Sequence, residues 1–569
     1  TGAAAALAGA GPDGAVDSVD ALGGQPGPSG EPDPQRSGDC RWQLVAGGPV
    51  EDAMSAAGLD ALVESVREQR PEALLVVAGV ADAGAAAAPR LLLASGPGVP
   101  AGELTSRTTS QPGLAHTPDL TATLLAAAGA DPSATLGQQL RVVPDRAVPA
   151  PGDDGAPEPV DPRPSPAVTD RVQDRLQDHR DVTLAAAAVP QLTGPVLTVA
   201  AVTVLVLLAG LLAADRRTAA AVAATAAQSV PAATFLASLV PWWRDGAPLS
   251  GRVGPTMLAL SLVLAGLVLG QLLLAWAGPW RRHPLGPPAV VAAVTVVVLS
   301  LDVVLGSRLG LLSVLGLRPT TAGRFHGMGN AGLGILATSV LLLAGFLASR
   351  TLARAHGVAA ARWAAAAVVL LLGLLAATVD GVPVWGADFG GVPPLLLATG
   401  LLAMLVLGLR PTPLRVLLLG LAAVAGAGAL MVLDWARGPA ARTHLGDFVQ
   451  AVLDGDAAGI VRGKLEQSAG ILRDYPVAWL AVLALAVLAV AVARPDSALG
   501  RPLRPLWALP ALRATACALL VCWLVGWLVN DSGIAIVGVG VAVAACAVLA
   551  VRTRLPVTGG DAPGRPARG

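Results

Sequence analysis

Residues 330–349 read NAGLGILATSVLLLAGFLAS, a stretch that contains no charged side chain. An α-helix of this length rises about 30 Å, which matches the hydrocarbon thickness of a bilayer. Comparable apolar runs flank it on both sides, including 288–306 and 360–379. The stretch therefore predicts a membrane-spanning helix that is one of a series.

Apolar runs of this kind recur from residue 190 to the end of the chain. Eleven runs are long enough to cross a membrane, at about 192–213, 219–241, 256–277, 288–306, 330–349, 360–379, 392–409, 414–433, 477–493, 513–529 and 534–551. The predicted fold class is mainly α: a polytopic helical membrane bundle of about 11 transmembrane helices, preceded by a small extracytoplasmic α/β domain. Charged residues make up only 14% of the chain, against about 25% in soluble domains.

The composition also excludes several classes of function. The net charge is zero, whereas nucleic-acid binding requires an excess of clustered basic residues. The four cysteines form neither a disulfide framework nor a metal-binding spacing. We therefore expect no nucleic-acid partner, no metal and no cofactor, and we expect membrane lipids as partners.

The short connections between the runs indicate the orientation. One alternate set holds fifteen arginines and only two acids, Asp215 and Asp496, while the other set holds ten basic residues and ten acids. Because positive residues concentrate on the cytoplasmic side, we expect a cell-membrane protein whose N-terminal domain is extracytoplasmic and whose C-terminus is cytoplasmic. Tryptophans at the ends of several runs, such as Trp242 and Trp243, predict an interfacial belt.

The domain organisation follows from changes in composition. We expect a low-complexity, disordered segment at 1–38, an α/β domain at 39–143, a Pro-rich linker with a short charged helix at 144–189, the transmembrane bundle at 190–552 and a cytoplasmic tail at 553–569. Within the α/β domain, apolar runs at 73–77 and 91–93 predict strands, and Thr117 predicts a helix N-cap. Residue 1 is not Met and no signal-peptide pattern follows it, which suggests a fragment or a processed product.

The apolar pattern changes within the long connection after the eighth run. Two amphipathic stripes at about 444–472 are separated by Gly455-Asp456. They predict a helical hairpin that either lies on the outer leaflet or packs as a surface helix on the bundle.

The polar residues that call for explanation all fall on the predicted outer side. The candidate substrate-binding residues are Arg324, His326, Asn330, Asp388, His444, Asn530 and Asp302, and the candidate catalytic residues are His326, His444, Asp434 and Asp531. Charges near membrane depth cost about 2.5–3.5 kcal/mol on insertion scales, so they are usually paired, hydrated or functional. Arginine suits phosphate geometry and histidine can transfer a proton near neutral pH. The alternative is that these residues are ordinary helix caps and interfacial ion pairs.

Part of the α/β domain resembles a known superfamily. Leu91–Gly98, Leu104–Thr109, Gly113-Leu114 and Thr117–Leu125 resemble the C-terminal part of an alkaline-phosphatase-superfamily domain. In that superfamily an Asp-His metal pair follows a strand, and a nucleophile lies near the N-terminus. The matching place here has Asp82 without an adjacent His, so the resemblance implies a partial, degenerate domain that binds rather than catalyses.

Four strings of the membrane half carry a second resemblance: 324–330, 386–391, 444–446 and 530–533. They are similar to strings in an uncharacterised group of actinobacterial-type envelope proteins that join such a domain to a polytopic bundle. The leading hypothesis is an envelope membrane protein whose outward-facing polar pocket binds or processes an amphiphilic or lipid-linked phosphate-bearing substrate. The alternatives are a transporter or flippase, with Gln228 and Gln271 on the path, and a non-enzymatic envelope scaffold. The sequence assigns no reaction.

Overall fold

The computed structural model describes residues 19–21, 44–46, 53–79, 89–132, 135, 137–144, 166–245, 253–322, 324–354, 359–438, 444–530 and 533–556. The chain divides into two compact units. The first comprises residues 1–187 together with Pro319–Phe325, and the second comprises Ala188–Arg318 and His326–Gly569. The segment 319–325, which the sequence assigns to the bundle, therefore packs with the first unit.

Short strands and helices make up the described part of the first unit before residue 145. Its strands pair as β1 (Val19–Ala21) with β2 (Leu44–Ala46) in parallel, and as β3 (Leu75–Ala78) with β4 (Leu92–Ser95) and β5 (Gly102–Thr105) with β6 (Arg141–Pro144) in antiparallel. Its helices are α1 (Ala53–Gln69) and α2 (Thr117–Ala127). Strands β3 and β4 lie at the predicted positions, whereas β1 lies inside the segment predicted to be disordered.

Helix α2 begins one residue earlier than the sequence predicts. Its N-cap is His116 rather than Thr117, so that Pro118 and Asp119 occupy the second and third helical positions. Gly129, with a φ of +81°, follows the helix. A glycine ends helices well because it adopts positive φ without a steric penalty.

The second unit is a bundle of long apolar helices. Its helices are α3 (Pro166–Ala213, which begins in the first unit), α4 (Arg217–Leu236), α5 (Val253–Ala277), α6 (Gly286–Val304), α7 (Arg308–Leu312), α9 (Asn330–Arg354), α10 (Ala359–Gly381), α11 (Val392–Val406), α12 (Pro413–Trp435), α13 (His444–Asp454), α14 (Ala457–Asp474), α15 (Ala478–Ala493), α16 (Arg504–Trp507), α17 (Leu512–Val529) and α18 (Ile534–Arg552). Helix α8 (Pro319–Ala322) belongs to the first unit.

Ten of the described helices are long and apolar enough to span a membrane, or eleven if α14 and α15, bent by 100° at their junction, count as one span. The predicted mainly α, multi-pass membrane bundle is confirmed at this level. Helix α9 lies at the centre of the bundle, with 89% of its most apolar window buried, against 17% for α5 and α12. Apolar side chains on the peripheral helices stay exposed, as expected for surfaces that face lipid.

Two details of the membrane half differ from the predictions. The charged helix predicted at about 168–182 and the first span form one continuous helix, α3, which contains Pro190 and Pro195. Trp242 and Trp243 are only 2% and 4% exposed, and their rings pack edge to face with centroids 5.4 Å apart. These two side chains therefore pack within the protein and do not face lipid, while the interfacial belt stays a prediction for exposed tryptophans such as Trp363 and Trp479.

Candidate functional site

Three connections at one end of the bundle are joined by hydrogen bonds. The Gly327 amide donates to Ser307 Oγ at 2.9 Å, and the Met328 amide donates to the Gly386 carbonyl at 3.1 Å. Asn530 Nδ2 donates to the Gly390 carbonyl at 3.0 Å. We call residues 302–310, 326–330 and 380–391 together with Asn530 the polar end cluster. These bonds fix the connections after α6, α10 and α17 to one another.

Glycine makes the closest of these approaches possible. Gly327 has a φ of +79°, and a Cβ placed on it would collide with the carbonyl oxygen of Gly386. Only glycine satisfies both the left-handed backbone and the lack of space. The backbones at Gly327 and Gly386 therefore approach each other closely at this point.

Asp302 is buried near the end of α6. Its Oδ1 accepts the Leu309 amide at 2.7 Å and its Oδ2 accepts the Gly310 amide at 2.8 Å. Both oxygens thus hold the start of α7, in the manner of a helix-capping carboxylate. Contact of Asp302 with a substrate stays a prediction, while its backbone bonds define a structural role.

Asp388 and Asn530 are also nearly fully buried and bonded to backbone. Asp388 Oδ1 accepts the Gly390 amide at 3.1 Å and caps a single 3-10 turn, Phe389–Gly391. Asn530 Nδ2 donates to the Gly526 carbonyl at 3.0 Å as well as to that of Gly390. The buried side chain of Asp380 lies against Gly391. These polar groups hold the start of α11 against α17.

Among the candidate binding residues in the polar end cluster, His326 and Asn330 are the more accessible, because both are only partly buried. They lie on or beside the connection 305–329, which includes Arg308 and Arg318 as exposed cations of the bundle unit. No Asp or Glu occurs in this connection. The exposed charges that it contributes to the bundle unit are therefore basic, while Asp302, Asp380 and Asp388 of the polar end cluster are buried.

Asp434 belongs to a different group of contacts, at the junction of α12 with α13. It is 1% exposed. Its Oδ1 accepts a hydrogen bond from Arg437 Nη1 at 2.9 Å, and its Oδ2 accepts the Gly446 amide at 3.0 Å. His444 is the first residue of α13, and its side chain lies outside the described part of the chain, as does all of Asp531.

Arg324 is partly buried and belongs to the first unit, with the segment 319–325. In the same unit Gln111 Nε2 donates to the Phe325 carbonyl at 3.1 Å, and the rings of His116 and Phe325 lie 5.5 Å apart. Arg324 and His326 therefore belong to different units, although only one residue lies between them in the sequence.

Asp119 is a buried acid of the first unit with four hydrogen-bond donors around it. Its carboxylate accepts bonds from Ser106 Oγ at 2.7 Å, Thr108 Oγ1 at 2.6 Å, and the amides of His116 at 2.8 Å and Gln138 at 2.9 Å. The sequence indicates a helix start here but not this convergence. Because the carboxylate is fully buried and holds four donors, it connects the hydroxyl-rich loop to α2 and does not serve a ligand.

Sequence reasoning did not single out Ser307, which has a φ of +64° and accepts the Gly327 amide. The sequence pattern that could have identified this turn is Gly306-Ser307 directly after a span, because glycine and serine are typical turn residues.

Among the described residues, no three His, Cys, Asp or Glu side chains lie close enough to hold a metal ion. No family model, curated protein or solved structure matches the chain.

Proposed function

We propose that the protein is an integral membrane protein of the cell envelope that binds a phosphate-bearing amphiphile at the polar end cluster, on the outer face of the membrane. The observation that carries this proposal is the sign of the exposed charges beside the cluster. Arg308 and Arg318 are exposed, while the acids of the polar end cluster, Asp302, Asp380 and Asp388, are buried. An anionic headgroup would meet cations at this surface and an apolar bundle beside it.

Within this proposal the residues divide into two roles. His326 and Asn330 contact the headgroup, because their side chains are only partly buried. Asp302, Asp388 and Asn530 act as positioning residues that hold the connections through backbone bonds. A preorganised set of loops reduces the ordering cost of binding. His444 remains a further proposed contact of the ligand, and Asp434 and Asp531 remain candidate catalytic residues.

The transporter or flippase alternative receives less support from the structure. Gln228 Nε2 donates to the Pro288 carbonyl at 3.0 Å, and Gln271 Nε2 donates to the Ser229 carbonyl at 3.2 Å. Each bond connects two different helices, which is how buried amides join membrane helices. These bonds support a packing role for both glutamines, which is why we place the transporter alternative second.

The test uses the full chain in phosphatidylcholine nanodiscs and a short-chain phosphatidic acid with a photoreactive acyl chain. Cross-linked residues are mapped by mass spectrometry. We expect cross-links near residues 326–330 and 382–391, and a loss of about tenfold in their yield in His326→Ala, the effect of losing one charge-assisted bond. His283→Ala, which changes the same residue type in another connection, is the matched control. Equal cross-linking in His326→Ala and the unchanged chain would contradict the proposal and favour the scaffold alternative.

A further inference from the structure

A groove of about 580 Å³ lies at the other end of the bundle from the polar end cluster. Helix α9 begins at Asn330 and reaches the groove with Leu352. These residues are separated by about 33 Å along the helix, at 1.5 Å per residue. The groove is therefore independent of the site under the proposed function.

The walls of this groove combine apolar side chains with two arginines. Leu352, Leu405, Val406 and Leu509 supply apolar surface, and Arg362 and Arg513 supply the charge. No Asp or Glu lines the groove. Apolar walls that carry two guanidinium groups complement an amphiphile with an anionic headgroup.

Both arginines lie in the N-terminal turn of a helix, where the backbone amides favour an anion. Arg362 is in the first turn of the described part of α10, and Arg513 is the second residue of α17. The N-terminal turn of a helix is its positive end, so a cation there is unfavourable unless an anion is nearby. The Arg362 guanidinium also lies against Gly408, a residue with a φ of +80°, and Arg513 Nη2 donates to the Val492 carbonyl at 3.0 Å. Both charged groups are thus held at the groove.

Trp507 adds a hydrogen-bond donor. It lines the groove, and its buried indole Nε1–H has no acceptor among the residues that the structure describes. An indole N–H usually finds a partner when it is buried. Phosphate and ester oxygens of a lipid headgroup are acceptors of the required kind.

We propose that this groove is a binding site for an anionic phospholipid of the surrounding leaflet. Its phosphate is held by Arg362 and Arg513, and one acyl chain lies along Leu352, Leu405 and Val406. Phosphatidylglycerol is a membrane lipid of this chemistry. Arginine pairs with phosphate through two parallel N–H bonds. In a zwitterionic headgroup the negative charge of the phosphate is balanced by a cation of the same headgroup, whereas in an anionic headgroup it is not.

The experiment measures lipid retention by the full chain. The protein is purified from mixed micelles that contain phosphatidylglycerol and phosphatidylcholine in equal amounts, and the retained lipids are quantified by mass spectrometry. We expect the unchanged chain to retain phosphatidylglycerol preferentially. The double variant Arg362→Gln/Arg513→Gln should lower that preference by about tenfold or more, since two charge-assisted bonds are lost.

Two further variants keep the test decisive. Arg410→Gln/Arg415→Gln removes the same charge from the end of the connection after α11 and the start of α12, at side chains that do not line the groove, and should leave the preference unchanged. Ala353→Trp fills the groove at an exposed position while keeping both arginines, and should abolish the preference. The site is refuted if the control variant loses as much phosphatidylglycerol as the groove variant, or if neither groove variant changes the ratio.

Discussion

Replacing Asn530 by leucine should release the start of α11 from α17. Asn530 is 7% exposed, and its Nδ2 donates to the carbonyls of Gly390 and Gly526 at 3.0 Å each. The Gly526 carbonyl also accepts the Asn530 backbone amide at 3.2 Å. With leucine at position 530 this carbonyl therefore keeps the backbone hydrogen bond and loses only the bond from the side chain. The Gly390 carbonyl loses the asparagine donor inside the protein, which costs about 1–3 kcal/mol.

Aspartate at the same position separates this hydrogen-bond argument from a loss of packing. Asn530→Asp keeps the shape of the side chain but turns an oxygen toward two carbonyl oxygens, where the amide nitrogen was a donor. We therefore expect Asn530→Asp to destabilise the segment more than Asn530→Leu. If packing were the main contribution, the order would be reversed.

Hydrogen exchange of the Gly390 and Gly391 amides is the suitable assay, because a bundle of many spans does not unfold in two states. A loss of about 1–3 kcal/mol accelerates exchange roughly 5–150-fold. Thr295→Val removes a buried hydroxyl that bonds within α6 and should leave these amides unchanged. Unchanged exchange in both Asn530 variants would refute the reasoning.

Three further predictions follow from single contacts. Asp119→Asn cannot accept all four bonds of the carboxylate, and we expect limited proteolysis of the first unit to accelerate by roughly tenfold or more, at about 1.5–3 kcal/mol per bond to a charged group. Burial, followed by the charges of Arg350, Arg554 and Arg354, lowers the pKa of His283 below 6.5. Because the unfolded chain binds this proton more readily than the folded chain, thermal stability should fall as the pH decreases below about 6.5. The variant His283→Gln should not show this decrease. Gly327→Ala should lower the melting temperature measurably, because the positive φ and the collision with the Gly386 carbonyl each destabilise alanine there, whereas alanine at Gly420, which has open space in α12, should not.

The sequence was sufficient for the spans and insufficient for the contacts between them. A run such as 330–349 has no charge, and only a membrane or a protein core can cover it, so its helix was predictable. Gly455-Asp456 likewise predicted a break, and α13 and α14 flank it. Continuous α3 was missed because Pro190 and Pro195 suggest interruption, although membrane helices tolerate proline.

The site residues were predictable as polar residues at helix ends but not in their roles. Asp302 accepts the amides of Leu309 and Gly310, bonds that depend on how the chain turns after Gly306 and not on residue spacing. Arg362 and Arg513 are far apart in the sequence and meet only because α10 and α17 begin at the same end of the bundle. Such juxtapositions require the tertiary structure.

The central claim is that the polar end cluster faces the outside of the cell, and labelling of single cysteines tests it most directly. The four native cysteines are replaced by alanine, and Val384→Cys and Leu499→Cys are made separately, because Val384 is 70% and Leu499 47% exposed. A membrane-impermeant maleimide applied to intact cells should label the Val384→Cys variant and should label the Leu499→Cys variant only after permeabilisation. The reverse pattern would contradict the orientation and, with it, the proposed outer binding site.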